Sequence, residues 1–318
     1  MSTPPSIQVP EPVTPSLLRD WPLPGPGSGK DDRGSVLVVG GARRTPGAAL
    51  LAGTAALRAG AGRLTLAVAR STAVQLAVAL PEAGVVGLAE TDGGSVSGSG
   101  ASVLADEIGK ATAVLVGPGL DNVDETQALL REILKLAATN DGRNGDPGGR
   151  PAMVLDAFAL GCLPKLRDEL GPWAGRVILT PNITECGILL GRDTKNLHDD
   201  VREVAELYQA VVTCQGFIAA PTGQSDQLPK DDHGQAGARL WQITTGHGGL
   251  GTSGSGDILA GAIAGLRARG ATEVQAACWG THLHTAAGDR LASRLGSMGY
   301  LAREVGDELP ALMTELIS

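Results

Sequence analysis

Between residues 35 and 292 the chain alternates short, unbroken apolar runs with longer Ala- and Leu-rich segments, and this alternation restricts the possible fold most. SVLVVGG (35–41), RLTLAVA (63–69), ATAVLVGPG (111–119), AMVLDA (152–157), RVILT (176–180) and AVVTCQ (210–215) read as buried strands, with EAGVVGLAE (82–90) a further candidate. PGAALLAGTAALRAG (46–60), ASVLADEIGK (101–110), TQALLREILKLAA (126–138), HDDVREVAELYQA (198–210), SGDILAGAIAGLRARG (255–270) and TEVQAACWGTHLHTAAGDRLA (272–292) read as helices. A strand that is apolar at every position offers no face to water, so helices must cover both sides. The expected class is α/β, with a central, mainly parallel sheet in a three-layer α/β/α arrangement. Aromatic residues are only 3% of the chain, so the core must be built from Ala, Val, Leu and Ile.

Residues 1–29 hold eight of the 19 prolines and are expected to form an extended leader, either a flexible arm or a strap over another surface. The folded part is expected to begin near Lys30 and to run as one domain over 30–318. Two polar stretches, 140–150 and 222–239, read as surface loops or hairpin excursions. The net charge of −8 disfavours nucleic acid and anionic membranes at long range, yet permits a local anion site made of backbone N–H groups. Cys162, Cys186, Cys214 and Cys278 form no C-x-x-C pair and read as buried free thiols in a reducing compartment. With no signal peptide and no apolar run near ~18 residues, a cytoplasmic location is expected.

The densest chemical signal is TGHGGLGTSGSGDILAG (245–261), in which six of the twelve residues from Gly246 to Asp257 are Gly. A Gly-rich turn that opens an apolar helix lets N–H groups converge on an anion, with the helix dipole behind them. Asp257 in the first turn would stand beside that anion, placed to take a proton from a hydroxyl attacking a phosphoryl group. Gly249 to Gly254 matches G-x-G-x-x-G, but no strand and acidic residue follow it as a dinucleotide fold requires, and the G-x-x-x-x-G-K-[ST] form is absent.

Three further segments are candidates. In ILTPNITECGILLG (178–191), Asn182 and Glu185 have capping-box spacing, which is a structural role. They could equally face a site at the strand ends, with Glu185 holding Mg²⁺ through water. In VLVGPGLD (114–121) a strand ends in Gly117-Pro118-Gly119, which lets a ligand approach the backbone closely. Asp156 ends the strand VLD, where an acid serves either a site or a helix cap. His282 and His284 lie two apart on one helix, do not share a face, and read as structural or surface residues, not metal ligands.

Taken in order, KDDRGSVLVVGGARRTPGAALLAGTAALRAGAGRLTLAV (30–68), Pro81-Glu82, GPGL (117–120), VLDA (154–157), LTP…E (179–185), GSGDILAG (254–261) and AGD (287–289) resemble the ADP/ATP-dependent NAD(P)H-hydrate dehydratase family of the ribokinase-like superfamily. The resemblance runs from about Lys30 to the C-terminus. It implies a ribokinase-like α/β/α fold and a lyase that repairs hydrated nicotinamide cofactors. ADP or ATP, with Mg²⁺, would phosphorylate the ring hydroxyl of hydrated NADH or NADPH, and loss of phosphate would return the cofactor. Asp257 would be the base. Ala48, Gly117, Gly119, Asp156 and Asn182 would lie against the hydrated dinucleotide. Gln215, Gly216, Phe217, Ile218 and Ala219 would line the adenine nucleotide, with Thr252, Gly254, Ser255 and Gly256 at its phosphates.

The chain departs from the family pattern where ligands would bind. Asn182 stands for a His in H-P-G-E, Gln215 for a Lys, Phe158 for an Asp, and Gly246-His247-Gly248 for G-N-P. N-x-x-E is also the form found in ribokinase-like small-molecule kinases. A kinase of a small hydroxylated metabolite and a catalytically weak nucleotide-binding paralogue therefore stand beside the dehydratase as alternatives. A homo-oligomer is expected from the small, Ala-rich helices, and a separate NAD(P)H-hydrate epimerase is the implied pathway partner.

Overall fold

The computed structural model describes residues 9–25, 27–139, 150–224, 239–246 and 248–317. Within them, ten strands make one sheet: β1 (Glu11–Val13), β2 (Ser35–Val39), β3 (Arg63–Ala69), β4 (Gly84–Leu88), β5 (Ala113–Val116), β6 (Ala152–Leu155), β7 (Val177–Leu179), β8 (Val211–Cys214), β9 (Phe217–Ala219) and β10 (Leu240–Ile243). Their order across the sheet is β1-β10-β9-β8-β7-β6-β5-β2-β3-β4. Only β9 runs antiparallel to its neighbours.

The helices are α1 (Pro15–Asp20), α2 (Pro46–Arg58), α3 (Ala73–Ala79), α4 (Ala105–Lys110), α5 (Val123–Ala138), α6 (Phe158–Leu166), α7 (Ile183–Leu190), α8 (Leu197–Tyr208), α9 (Ser255–Ala268), α10 (Glu273–Leu295) and α11 (Ala302–Ile317). Successive strand residues feed opposite cores, as the two-residue period demands. Val36 and Val38 of β2 join α2, α9, α10 and α11 on one face, while Leu37 and Val39 join α5, α6, α7 and α8 on the other. The three-layer α/β/α class expected from the alternation is the observed one. Among the described residues, no helix is long and apolar enough to cross a membrane.

The strand order reverses between β2 and β5, and the loops leaving those two strands are stitched together. Gly41 N–H donates to Pro118 O at 2.8 Å, and Ala42 N–H donates to Gly119 O at 2.8 Å. A crevice at such a reversal, beyond the carboxyl ends of the strands, is where open α/β sheets bind ligands. Helix α9 packs beneath β2, β5 and β6 and points its N-terminus at that crevice. Its approach to α2 is made possible by missing side chains. A Cβ on Gly261 would lie 2.0 Å from Ala52 O, and one on Gly265 would lie 2.3 Å from Ala56 O.

Several expectations need correction. Folded structure is present well before Lys30: β1 extends the sheet beside β10, and Leu18 of α1 is fully buried. The described part of the leader is thus a strap, held because the backbone carbonyls of Trp21, Pro22 and Pro24 accept hydrogen bonds from Trp279, Gln275 and Arg269. Residues 98–104 form a 3-10 turn that delays the expected helix to α4. Strands β9 and β10 and helix α11 lie outside every expected element. Of the two polar stretches, residues 140–149 and 225–238 lie outside the described residues; the second connects the antiparallel pair β9 and β10.

Candidate active site

Gly117 and Gly119 shape the floor of the crevice. Both have left-handed backbones, φ +131° and +72°. A Cβ on Gly117 would lie 1.8 Å from Asp156 O, so any side chain there would drive the ends of β5 and β6 apart. A Cβ on Gly119 would meet Thr45 O at 2.3 Å and Ala48 Cβ at 3.0 Å, so Ala48 and Gly119 line one wall together. Helix α2 begins at that wall without a side-chain cap, because the Thr45 hydroxyl donates instead to Gly119 O at 2.7 Å.

Three carboxylates face this region from three elements. Asp156 follows β6, is buried, and accepts a hydrogen bond from the Thr180 hydroxyl at 2.7 Å. Burial pushes its carboxyl up to about 7; the Thr180 bond opposes this, and the charges of Asp257 and Glu185 reinforce it. Glu185 is half-buried in the first turn of α7. The capping box is complete: Glu185 N–H donates to Asn182 Oδ1 at 2.9 Å, and Asn182 N–H donates to Glu185 Oε2 at 2.9 Å. Burial raises the Glu185 carboxyl as well. Asp257, the third residue of α9, is half-buried and pushed up to about 6 by burial.

The turn before Asp257 is open on one side and anchored on the other. Gly254 has φ +89° and caps α9 without a side-chain bond, and a Cβ on Gly256 would meet nothing within 4 Å. Space beside Gly256 is therefore open, while Ser255 N–H turns back to Thr252 O at 3.1 Å. Upstream, Gly246 N–H donates to Asp289 Oδ2 at 2.8 Å, and a Cβ on Gly249 would strike Tyr300 Oη at 2.4 Å. His247 lies outside the described residues.

Of the segment expected at the adenine nucleotide, Gln215 and Gly216 form the β8–β9 turn with φ +48° and +83°, and Phe217 is half-buried. Ile218 and Ala219 do not reach a surface. Their side chains are fully buried, and β9 is paired on both edges, which occupies their backbone groups. His282 and His284, expected as structural or surface residues, are both buried, and His284 contacts Ser255. Thr180 and Tyr300 are neighbours of the site that sequence reasoning did not single out.

The acids suit a hard cation. Among the described residues, no three His, Cys, Asp or Glu side chains form a ready metal cage. Mg²⁺ needs none, because it keeps waters and takes phosphate oxygens beside one or two carboxylates. Burial is the main cause that raises Asp156, and the repulsion from Asp257 and Glu185 that adds to it is what a cation would relieve.

The family profile described as NAD(P)H-hydrate dehydratase matches residues 36–311. The ADP-dependent (S)-NAD(P)H-hydrate dehydratase of Xanthomonas campestris pv. campestris is 40% identical over 312 residues, covering 96% of each chain. The bifunctional NAD(P)H-hydrate repair enzyme of Moorella thermoacetica is 34% identical over 290 residues, or 89% of this chain and 50% of that one. The chain therefore spans about half the length of the bifunctional relatives it matches. Among solved structures, the ADP/ATP-dependent NAD(P)H-hydrate dehydratase of Bacillus subtilis, co-crystallised with ATP and Mg²⁺, superposes with TM-score 0.73 at 25% identity, covering 98% of this chain and 100% of that one. A ribokinase-like superfamily protein of Enterococcus faecalis gives TM-score 0.74 at 20% identity, covering 96% of each chain.

Proposed function

The chain belongs to the NAD(P)H-hydrate dehydratase family, and we propose on that premise that it is a lyase that dehydrates hydrated NADH or NADPH at the expense of a nucleotide phosphoryl group. The observation that carries this reading is the placement of Asp257. A half-buried carboxylate stands in the first turn of a helix capped by Gly254 with no side-chain bond, beside the open space at Gly256, near the point where the strand order reverses.

The residues divide the work as follows. The amides of Gly254 and Gly256 and the N-terminal dipole of α9 stabilise the charge that builds on the transferring phosphoryl group. Asp257 accepts the proton of the ring hydroxyl as its oxygen bonds to phosphorus and the bond to the nucleotide oxygen breaks. The phosphate then leaves the ring with the C–O electron pair, the neighbouring carbon loses a proton, and the ring double bond returns. Ala48, Gly117 and Gly119 offer a smooth wall for the dinucleotide, with Asp156 and Asn182 beside it. Gln215, Gly216 and Phe217 take the adenine nucleotide, and Thr252 and Ser255 hold the phosphate turn from behind. Glu185, through water, and the nucleotide phosphates would hold Mg²⁺, which supplies charge neutralisation when bound.

We assign ADP as the donor. The 40% identical Xanthomonas relative is named ADP-dependent. In this chain Gln215 also replaces the family's cation, which leaves less positive charge for the extra phosphate of ATP. Buried free thiols at all four cysteines are consistent with a cytoplasmic location. We further propose a homo-oligomer, and a separate epimerase that interconverts the two hydrate epimers.

The test is absorbance at 340 nm with purified protein, Mg²⁺, hydrated NADH or NADPH, and ADP or ATP in separate wells. Growth of the reduced-nicotinamide band with ADP is the expected result. A stable phosphorylated product with no 340 nm band would instead establish the kinase, which the Asn182–Glu185 arrangement favours. Nucleotide binding without any product would leave the non-catalytic paralogue.

A further inference from the structure

The Gly-rich turn is held by one stripe of α10. Thr281 Oγ1 lies 2.9 Å from Thr213 Oγ1 of β8, two residues before Gln215. Thr285 Oγ1 lies 3.1 Å from Thr245 Oγ1, and Asp289 accepts the Gly246 N–H. Gly288 packs against Leu250. These positions recur every three or four residues, so a single helix face sets the spacing of the whole phosphate-side wall.

His284 is the member of this stripe that reaches α9. It is buried, and its Nε2 lies 2.8 Å from Ser255 Oγ and 3.0 Å from the Ser255 carbonyl oxygen. A carbonyl oxygen only accepts. A bare ring nitrogen at that distance would oppose lone pair to lone pair, so Nε2 carries the hydrogen and donates to both Ser255 oxygens. Burial pushes the ring down to about 4, so at neutral pH it holds a single proton and Nδ1 is bare. A hydroxyl that accepts from His284 keeps its own hydrogen for another partner.

We propose that His284 is a positioning residue for phosphoryl transfer: its Nε2–H clamps the Ser255 carbonyl and hydroxyl and so fixes the Gly254–Gly256 turn at the start of α9. This rests on the phosphoryl-transfer reading of the turn.

Three variants separate positioning from packing. The Gln amide nitrogen reaches the place of ring Nε2, whereas the Asn amide stops near Nδ1. His284→Gln should keep kcat within about 3-fold of wild type, while His284→Asn and His284→Leu lose about 10–100-fold in kcat with nucleotide KM moving less than about 3-fold. Asn or Leu variants as active as Gln, a Gln variant as slow as Leu, or a loss carried by KM would each overturn the proposal. Nitrogen-15 NMR of the wild-type histidines reads the ring without turnover. A protonated Nε2 is expected, and a protonated Nδ1 overturns the clamp. A wild-type enzyme that forms no 340 nm band would sink the dehydratase reading and leave the tautomer result standing by itself.

Discussion

Asp257 must be ionised to accept a proton, and burial holds its carboxyl up at about 6. The acid limb of kcat/KM should therefore fall below about pH 6 and level off above it. Asp257→Asn keeps size and shape but removes the base. Turnover should drop by about 10²–10⁴-fold while nucleotide binding, followed by calorimetry, stays within a few-fold. A near-wild-type rate would take Asp257 out of this role. Asp156 makes the opposite kind of prediction. Its folded carboxyl keeps its proton up to about 7, whereas an unfolded Asp releases it near ~3.9. Between those values the folded state binds more protons, so stability falls as pH rises through the window and is flat above it. Asp156→Asn can still accept from Thr180 and carries no charge. It should raise the melting temperature at pH 8 by about 2–4 °C for each ~1 kcal/mol relieved. The gap should shrink as pH falls toward 4. An equal gap at every pH would mean that Asp156 is not strained by its charge.

At the scale of elements, two glycines of one helix should respond in opposite ways. Gly261→Ala sets a Cβ against the Ala52 carbonyl, so α9 must back away from α2. We expect a stability loss of about 1–3 kcal/mol in denaturant unfolding, with activity falling too because the same helix carries Asp257. Gly256→Ala meets nothing within 4 Å. Its stability should hold or rise by about 0.5–1 kcal/mol, since Ala is the better helix former, while turnover falls because the methyl intrudes on the anion turn. If Gly256→Ala is fully active, the turn is not where the phosphoryl group sits. The same elements explain what could be read from sequence. The long apolar runs 35–41, 63–69 and 111–119 announced β2, β3 and β5, and the Gly-rich turn announced α9, because each carries its own periodicity or cap. Strand β9 was hidden because it follows β8 after a two-residue turn, and β10 because Gln242 interrupts its short apolar run. The contact of His284 with Ser255 was hidden because it joins positions 29 apart through the packing of α10 on α9, which no local pattern encodes.

For the whole molecule, the proline-rich leader bears on stability, not on chemistry. The prolines leave open a flexible arm or a strap, and here the leader is held as a strap through its carbonyls. Trp279 Nε1 donates to Trp21 O at 3.0 Å, Gln275 Nε2 donates to Pro22 O at 2.9 Å, and Arg269 donates to Pro24 O at 2.7 Å. Carbonyls leave no mark in a sequence, so the donors on α10 and at the end of α9 give no sign of what they hold. Removing residues 1–25 would strip three partners from groups that are buried or half-buried. It would also uncover the β10 edge and the cavity of Leu18, whose burial alone is worth about 1.5–3 kcal/mol. Arg269 and the Pro24 end of the strap lie at the C-terminal end of α9, a 14-residue helix and so about 20 Å from the turn at its other end. The truncated chain should therefore melt several degrees lower and form larger species on a sizing column as the freed sheet edge seeks a partner. Its kcat at low temperature should stay within about 2-fold of the full chain, since no residue assigned to the site is removed. A large loss of kcat with the melting temperature unchanged would show that the strap acts on the site itself, and the leader would then have to be counted among the functional elements.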